Sequence, residues 1–177
     1  NPGETFAIIG STGSGKSTLI NLIPRFYDVT DGTVLINDID VKNYKQDFLH
    51  TKMGYVPQKA GMFSGTIKEN VAYGDSDNKD NRDKLKRAIE IAQAKDFVEN
   101  MDDKYDSHIA RGGTNVSGGQ KQRLSIARAI MREPEIYLFD DKYIVEKLNK
   151  KIDFMDEENK YLHLEKGIEK RRWGTGR

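Results

Sequence analysis

Short apolar runs alternate with stretches of helical period along this 177-residue chain. Thr5 to Ile9 (TFAII) is apolar, β-branched and bounded by glycines, which predicts a buried strand. Glycines and hydroxyls fill residues 10–15. From Lys16 (KSTLINLI) the spacing predicts a helix that ends before Pro24. Gly32 to Asn37 (GTVLIN), introduced by the Asp31-Gly32 turn, predicts a second strand, Tyr44 to His50 a short helix, and Met53 to Val56 a third strand stopped by Pro57. Residues 73–83 are polar and rich in Asp and Asn, which marks a loop. Leu85, Ala88, Ile89 and Ala92 then recur at helical spacing, and Phe97, Val98 and Met101 extend the helical region. After a second glycine-rich stretch, Gly112 to Gly119, Ser117 stands as an N-cap. Leu124, Ile126, Ala127 and Ile130 give the following helix its apolar face. Pro134 breaks that helix, and Ile136 to Phe139 (IYLF) predicts another buried strand, ending in Asp140-Asp141. Strands alternating with helices predict an α/β fold with a largely parallel sheet, and the helical stretch at about 80–131 reads as a subdomain set into it. The pattern stops at 141. Residues 142–177 are dense in charge and end in Arg171-Arg172-Trp173-Gly174. With Ile144, Leu148, Ile152 and Met155 on one face, they read as a solvated helix and a loose end.

Composition narrows this only a little. The length allows one domain with a real core and is short for two. A net charge of +1 argues neither for nucleic acid nor for a membrane surface, and the lack of cysteine excludes disulfides, zinc–thiolate sites and thiol catalysis. No apolar run approaches the ~20 residues that cross a bilayer. The chain opens on Asn1-Pro2-Gly3-Glu4 with neither Met nor signal peptide, the expected look of a fragment boundary.

The chemistry starts at Gly10-Ser11-Thr12-Gly13-Ser14-Gly15-Lys16-Ser17, which fits GxxxxGK[ST] at every fixed position. Glycines let the backbone turn several N–H groups inward as an anion nest, and the helix that follows adds its positive end. Lys16 can reach β- and γ-phosphates, and the Ser17 hydroxyl can bind magnesium. Phosphoryl transfer needs the metal held from a second side. A rigid apolar strand ending in Asp140 can do that, directly or through water, which leaves Asp141 where a general base could polarise a water.

Val116-Ser117-Gly118-Gly119-Gln120 opens a helix on two adjacent glycines and can form a second anion site. VSGGQKQR resembles the signature motif of ABC ATPases, usually LSGGQ. The resemblance covers roughly residues 3–141 and implies a P-loop NTPase-like α/β domain, truncated at both ends, whose helical subdomain carries the signature. It implies ATP with Mg²⁺ as cofactors, held by Gly10, Ser11, Thr12, Gly13, Ser14, Gly15, Lys16, Ser17 and Thr18. Ser117, Gly118, Gly119 and Gln120 would act in trans, on the nucleotide of a second such domain, a homo- or heterodimer partner. Gln58, in Tyr55-Val56-Pro57-Gln58, would be the glutamine that touches Mg²⁺ or water and senses transmembrane domains. Phe63-Ser64-Gly65-Thr66-Ile67 with Asn70 resembles the segment of exporter-type domains that receives the coupling helix, and Arg111-Gly112-Gly113 resembles their cross-domain loop. The resemblance thus implies an exporter subunit on the cytoplasmic side of a membrane, with no nucleic-acid partner.

Three departures bear on activity. The adenine-stacking aromatic of the family lies upstream of where this chain starts. The catalytic position holds Asp141 rather than Glu, one methylene shorter, so slower hydrolysis is expected. After the acidic pair, Lys142-Tyr143-Ile144-Val145 does not match the family's D-loop. His50 and His108 lie too early to be its switch histidine, and His163 lacks the right surroundings. Two readings besides the hydrolysing domain therefore stay open: a module that holds ATP without splitting it, and a remnant without function.

Overall fold

The computed structural model describes residues 6–8, 11, 13–75, 78 and 80–140. In chain order the elements are α1 (Lys16–Leu22), β1 (Leu35–Ile36), β2 (Ile39–Asp40), α2 (Gln46–Thr51), β3 (Met53–Val56), β4 (Gly65–Thr66), α3 (Ile67–Val71), α4 (Arg82–Ile91), α5 (Lys95–Glu99), β5 (His108–Ile109), α6 (Gly118–Met131) and β6 (Ile136–Phe139). The expectation of a charged helical tail over 142–177 falls outside the described residues, as does Asp141.

The organising feature is the parallel ladder of β3 and β6, with Met53 opposite Ile136 and Val56 opposite Phe139. Side chains alternate across a strand, so each strand has two faces to bury. Met53 and Tyr55 on β3, with Ile136 and Leu138 on β6, pack with Ile20 of α1, Ile23 just past its end and Leu49 of α2. Val56 and Phe139 turn the other way, into a core built with Leu124, Ala127 and Met131 of α6, Leu85 and Ile89 of α4, and Ile67 and Val71 of α3. Helices therefore cover both faces of the parallel pair, the layering that lets a parallel sheet stay buried. The helix α6 approaches so closely that a Cβ on Gly54 would meet Pro134 Cγ at 2.8 Å and the Ala129 carbonyl oxygen at 3.2 Å. The other pairs, β1 with β2 and β4 with β5, are short and antiparallel.

Differences from the sequence reading have local causes. The second strand shortens to Leu35–Ile36 because Asn37 and Asp38 adopt φ of 50° and 61° and turn the chain back into β2. Two successive positive φ values suit a tight hairpin, and Asn and Asp tolerate them best after glycine. The helical region from 80 to 131 is divided: Gln93 at φ 55° ends the first part and Lys104 at φ 48° turns the chain toward β5. Residues 6–8, the described part of the first expected strand, carry no strand, and Phe6 is 86% exposed. These residues have no ladder partner among the described residues, and an unpaired backbone gains nothing from being extended.

Candidate functional site

The phosphate-loop candidates stand where β3 and β6 end. Gly13 and Gly15 take φ of 82° and 84°, which side chains rarely adopt, while a Cβ on either would meet nothing within 4 Å. The demand for glycine is thus conformational, not steric. Gly15 is the N-cap of α1, and no side chain caps that end, nor does its first turn hold an acid. The cap residue therefore supplies no side-chain oxygen to the start of the helix, whose positive end favours an anion. Ser14 N donates to Ser11 O at 3.2 Å and closes the loop on itself. The Lys16 ammonium lies over the loop, donating to Ser11 O at 2.7 Å and Ser14 Oγ at 3.1 Å. Gly10 and Thr12 fall outside the described residues, and Thr18 sits exposed in the first turn of α1.

The decisive contact links two stretches far apart in the sequence. Ser17 Oγ donates to Asp140 Oδ1 at 2.8 Å across 123 positions. Asp140 is held there because β6 pairs with β3 up to Phe139 and the Asp140 N–H then donates to Val56 O at 2.9 Å. Gln58 follows two residues after β3, exposed at the same end of the ladder. One helix N-terminus, one ammonium, one hydroxyl and one carboxylate thus converge.

These residues fit magnesium. Two adjacent ligands of an octahedron with bonds of about 2.0–2.1 Å lie about 2.9 Å apart, close to the 2.8 Å between Ser17 Oγ and Asp140 Oδ1. No group of three or more His, Cys, Asp or Glu that could hold a metal occurs among the described residues. A two-ligand protein site is what magnesium uses when substrate phosphates and water complete its shell.

The second glycine stretch is built differently. Ser117 caps α6: its Oγ accepts from Gln120 N at 3.2 Å, and Gln120 Oε1 accepts from Ser117 N at 2.8 Å. This capping box explains the Ser and Gln three residues apart. It does not explain the glycines: Gly118 and Gly119 are exposed, their φ values are not positive, and a Cβ on either would meet nothing within 4 Å.

Sequence reasoning missed two polar groups beside the loop. Tyr55 Oη donates to Asn21 Oδ1 at 3.0 Å, joining β3 to α1. Burial, then the charge of Asp140, raise the Tyr55 pKa above its ordinary value, so it stays a donor at neutral pH. It also missed Arg128, an arginine within the apolar pattern of α6. Its guanidinium donates to Asn70 O at 2.8 Å, Gly61 O at 3.1 Å and Asn70 Oδ1 at 3.3 Å. It lies 5.2 Å and 5.7 Å from the ring centres of Phe63 and Tyr73, which stack at 4.2 Å. Burial lowers its pKa from the ordinary arginine value. An isolated cation inside the apolar stripe was the available signal.

The ABC transporter family profile matches residues 1–143. An ABC transporter ATP-binding protein of Mycobacterium tuberculosis is 49% identical over 143 residues, covering 80% of this chain and 24% of the relative. A multidrug export ATP-binding/permease protein of Staphylococcus aureus is 45% identical over 139 residues, covering 78% of this chain and 24% of its own length. The chain therefore spans about a quarter of the length of these relatives. Among solved structures, a bacterial Atm1-family ABC exporter with ATP bound superposes with a TM-score of 0.75 at 31% identity, over 86% of this chain and 27% of that one.

Proposed function

This chain belongs to the ABC transporter family, whose ATP-binding domains share ATP hydrolysis as their general activity, and from that premise we propose that it is the ATP-binding unit of an exporter. The observation that carries the proposal is the Ser17–Asp140 hydrogen bond, which brings the phosphate loop and the strand-end acid to one point. The exporter assignment draws on the Staphylococcus relative's name and the Atm1-family neighbour.

In this reading residues 1–141 form the domain, 80–131 its helical part, and 142–177 a tail outside it. The loop from Gly10 to Thr18 wraps the phosphates, and Lys16 exchanges its contacts with Ser11 O and Ser14 Oγ for phosphate oxygens. Ser17 and Asp140, with Gln58 beside them, hold Mg²⁺, which when bound neutralises charge on the phosphates. Asp141 polarises the attacking water from a shorter side chain than glutamate. Ser117, Gly118, Gly119 and Gln120 serve the nucleotide of a second ATP-binding domain, and Phe63 to Asn70 meets the transmembrane domains on the cytoplasmic side.

Titration calorimetry with Mg-ATP tests the core of this. The chain is expected to bind, and Lys16→Ala to abolish measurable binding while leaving the melting curve unchanged. Equal affinity in both proteins, or none in either, would overturn the reading. The Asp141 substitution also favours a site that holds ATP longer than it splits it. Steady-state turnover is expected well below ~1 s⁻¹, and faster turnover would exclude that variant.

A further inference from the structure

The helix α1 is apolar on both of its sides. Leu19, Ile20 and Leu22, with Ile23 just past the end, are its apolar positions. At 3.6 residues per turn they cannot share one face. Ser17 and Asn21 bond toward the sheet, to Asp140 and Tyr55, and Ile20 packs beside them, so that side is inward. Leu19 and Leu22, three positions apart, share the side that points away. Leu19 is 50% exposed and Leu22 half-buried, and neither belongs to the two cores among the described residues. No residue of α1 is buried. A surface helix keeps its outer face polar, and one that is apolar all round is a covered helix. The outer face of α1 therefore calls for an occupant.

The size of the face selects among occupants. Two leucines fall far short of the ~800 Å² that each partner of a stable dimer buries, so a second copy held by this face alone would dissociate. A segment of the same chain needs much less, because tethering raises its local concentration to about the millimolar range. The described chain ends where such a segment would have to start. Asp140 is bonded at 2.8 Å to Ser17, two positions before Leu19. Beyond it Ile144, Leu148, Ile152 and Met155 recur at helical spacing, with Glu146, Lys147, Lys150, Lys151 and Asp153 between them. At helical rise that stripe is about 17 Å long, against about 10 Å for α1. The stretch from Asp140 to Ile144 reaches about 13 Å when extended. That matches the diameter of a helix, about 10–12 Å, and is enough to pass around the end of α1 to its outer face.

We infer that the segment from Ile144 to Met155 docks in cis on the outer face of α1, over Leu19 and Leu22. It is an intramolecular cover for the helix that begins at the phosphate loop. The inference does not rest on the ATP-binding reading and stands or falls apart from it.

The test uses the whole chain and its lack of cysteine, so that two introduced thiols report on each other alone. Leu19→Cys is combined with Leu148→Cys, with Ile152→Cys or with Lys150→Cys, which falls on the opposite side of the stripe. Disulfide formation is followed at low protein concentration on non-reducing gels. Intramolecular disulfides are expected to form at least about tenfold faster with Leu148→Cys and Ile152→Cys than with Lys150→Cys, the preference that burying one leucine-sized side chain confers. Adding Leu148→Asp to the pair of Leu19→Cys and Ile152→Cys is expected to remove that advantage. A second measurement leaves Leu19 untouched: Leu148→Asp alone is expected to speed hydrogen exchange in α1 and to leave α4 unchanged. Equal disulfide rates at all three tail positions would overturn the inference, because the segment would then choose no face. Disulfides formed only between chains would overturn it in favour of a second copy. Exchange in α1 that Leu148→Asp does not change would overturn it too.

Discussion

At the scale of single residues, the strongest requirements fall where a strand meets a helix. Gly54 is such a place. Its missing side chain is the space that Pro134 and Ala129 use to reach the sheet, so Gly54→Ala must push α6 and Pro134 away from β3. The expected destabilisation is about 1–3 kcal/mol, read as a lower midpoint in urea. Ser107 is the opposite case. Its hydroxyl is buried and has no hydrogen-bond partner among the described residues. Removing an unsatisfied polar group removes a desolvation penalty. Ser107→Ala is therefore expected to leave the urea midpoint unchanged or raise it, and a marked loss would mean that the hydroxyl is satisfied after all. The residues legible in the sequence, Lys16, Ser17 and Asp140, were those whose spacing is set by chemistry common to phosphate sites. Tyr55 and Asn21 were not legible, because their pairing depends on how α1 lies across β3, and no local pattern encodes a crossing angle.

At the scale of elements, two clasps hold the segment between β4 and α4 against the rest. One is Arg128, reaching from α6 to the backbone of Gly61 and Asn70. Arg128→Met keeps much of the stem but leaves two carbonyl oxygens without their donor, so a loss of about 2–3 kcal/mol is expected, or several degrees in melting temperature. The other is Asp75, which accepts from Asn78 at 2.9 Å and from Lys84 at 3.1 Å, with Glu133 on the far side of Lys84 at 3.3 Å. Burial alone would raise the Asp75 pKa, but the bonds from Asn78 and Lys84 and the charges of Lys84 and Arg132 outweigh it and leave it lowered. For Lys84 burial likewise opposes the outcome, and its acidic neighbours leave it raised. The signs fix the window. Asp75 stabilises above its unfolded pKa and loses that contribution as pH falls through the lowered folded value. Lys84 stabilises below its unfolded pKa and loses that as pH rises through the raised folded value. Asp75→Asn is thus expected to melt earlier near neutral pH, with the gap closing in acid, where the carboxyl is protonated in both states. Helix existence here followed from apolar period, as for Leu85, Ala88 and Ile89. Helix limits did not, because Gln93 and Lys104 take left-handed conformations that neither residue type announces.

At the scale of the whole molecule, the unexplained feature is Gly118-Gly119. A residue type is chosen for its own fold, or for something that must come close. The fold needs glycine at neither position: a Cβ would find open space on both, and neither φ is positive. Ser117 and Gln120 already satisfy the cap without them. What remains is approach by another body to the N-terminal end of a 14-residue helix, an end that favours anions. That observation supports the proposed trans role of the signature, which makes a separable prediction. Gly119→Asp adds a carboxylate in the first turn of α6, where the helix dipole favours negative charge, so thermal stability is expected to be unchanged or slightly raised. Binding of Mg-ATP to the chain's own phosphate loop is expected to be unchanged, since the hydrogen bonds of Ser117 and Gln120 close on each other and not on that loop. Association of two chains driven by ATP is expected to be lost, because in the proposed arrangement the new charge would face the partner's γ-phosphate. Sedimentation with and without Mg-ATP separates these outcomes. If ATP-driven association persists in Gly119→Asp, the glycines answer to something other than a second nucleotide. If the variant's own ATP affinity falls with it, the signature acts within one chain, and the head-to-tail arrangement is wrong.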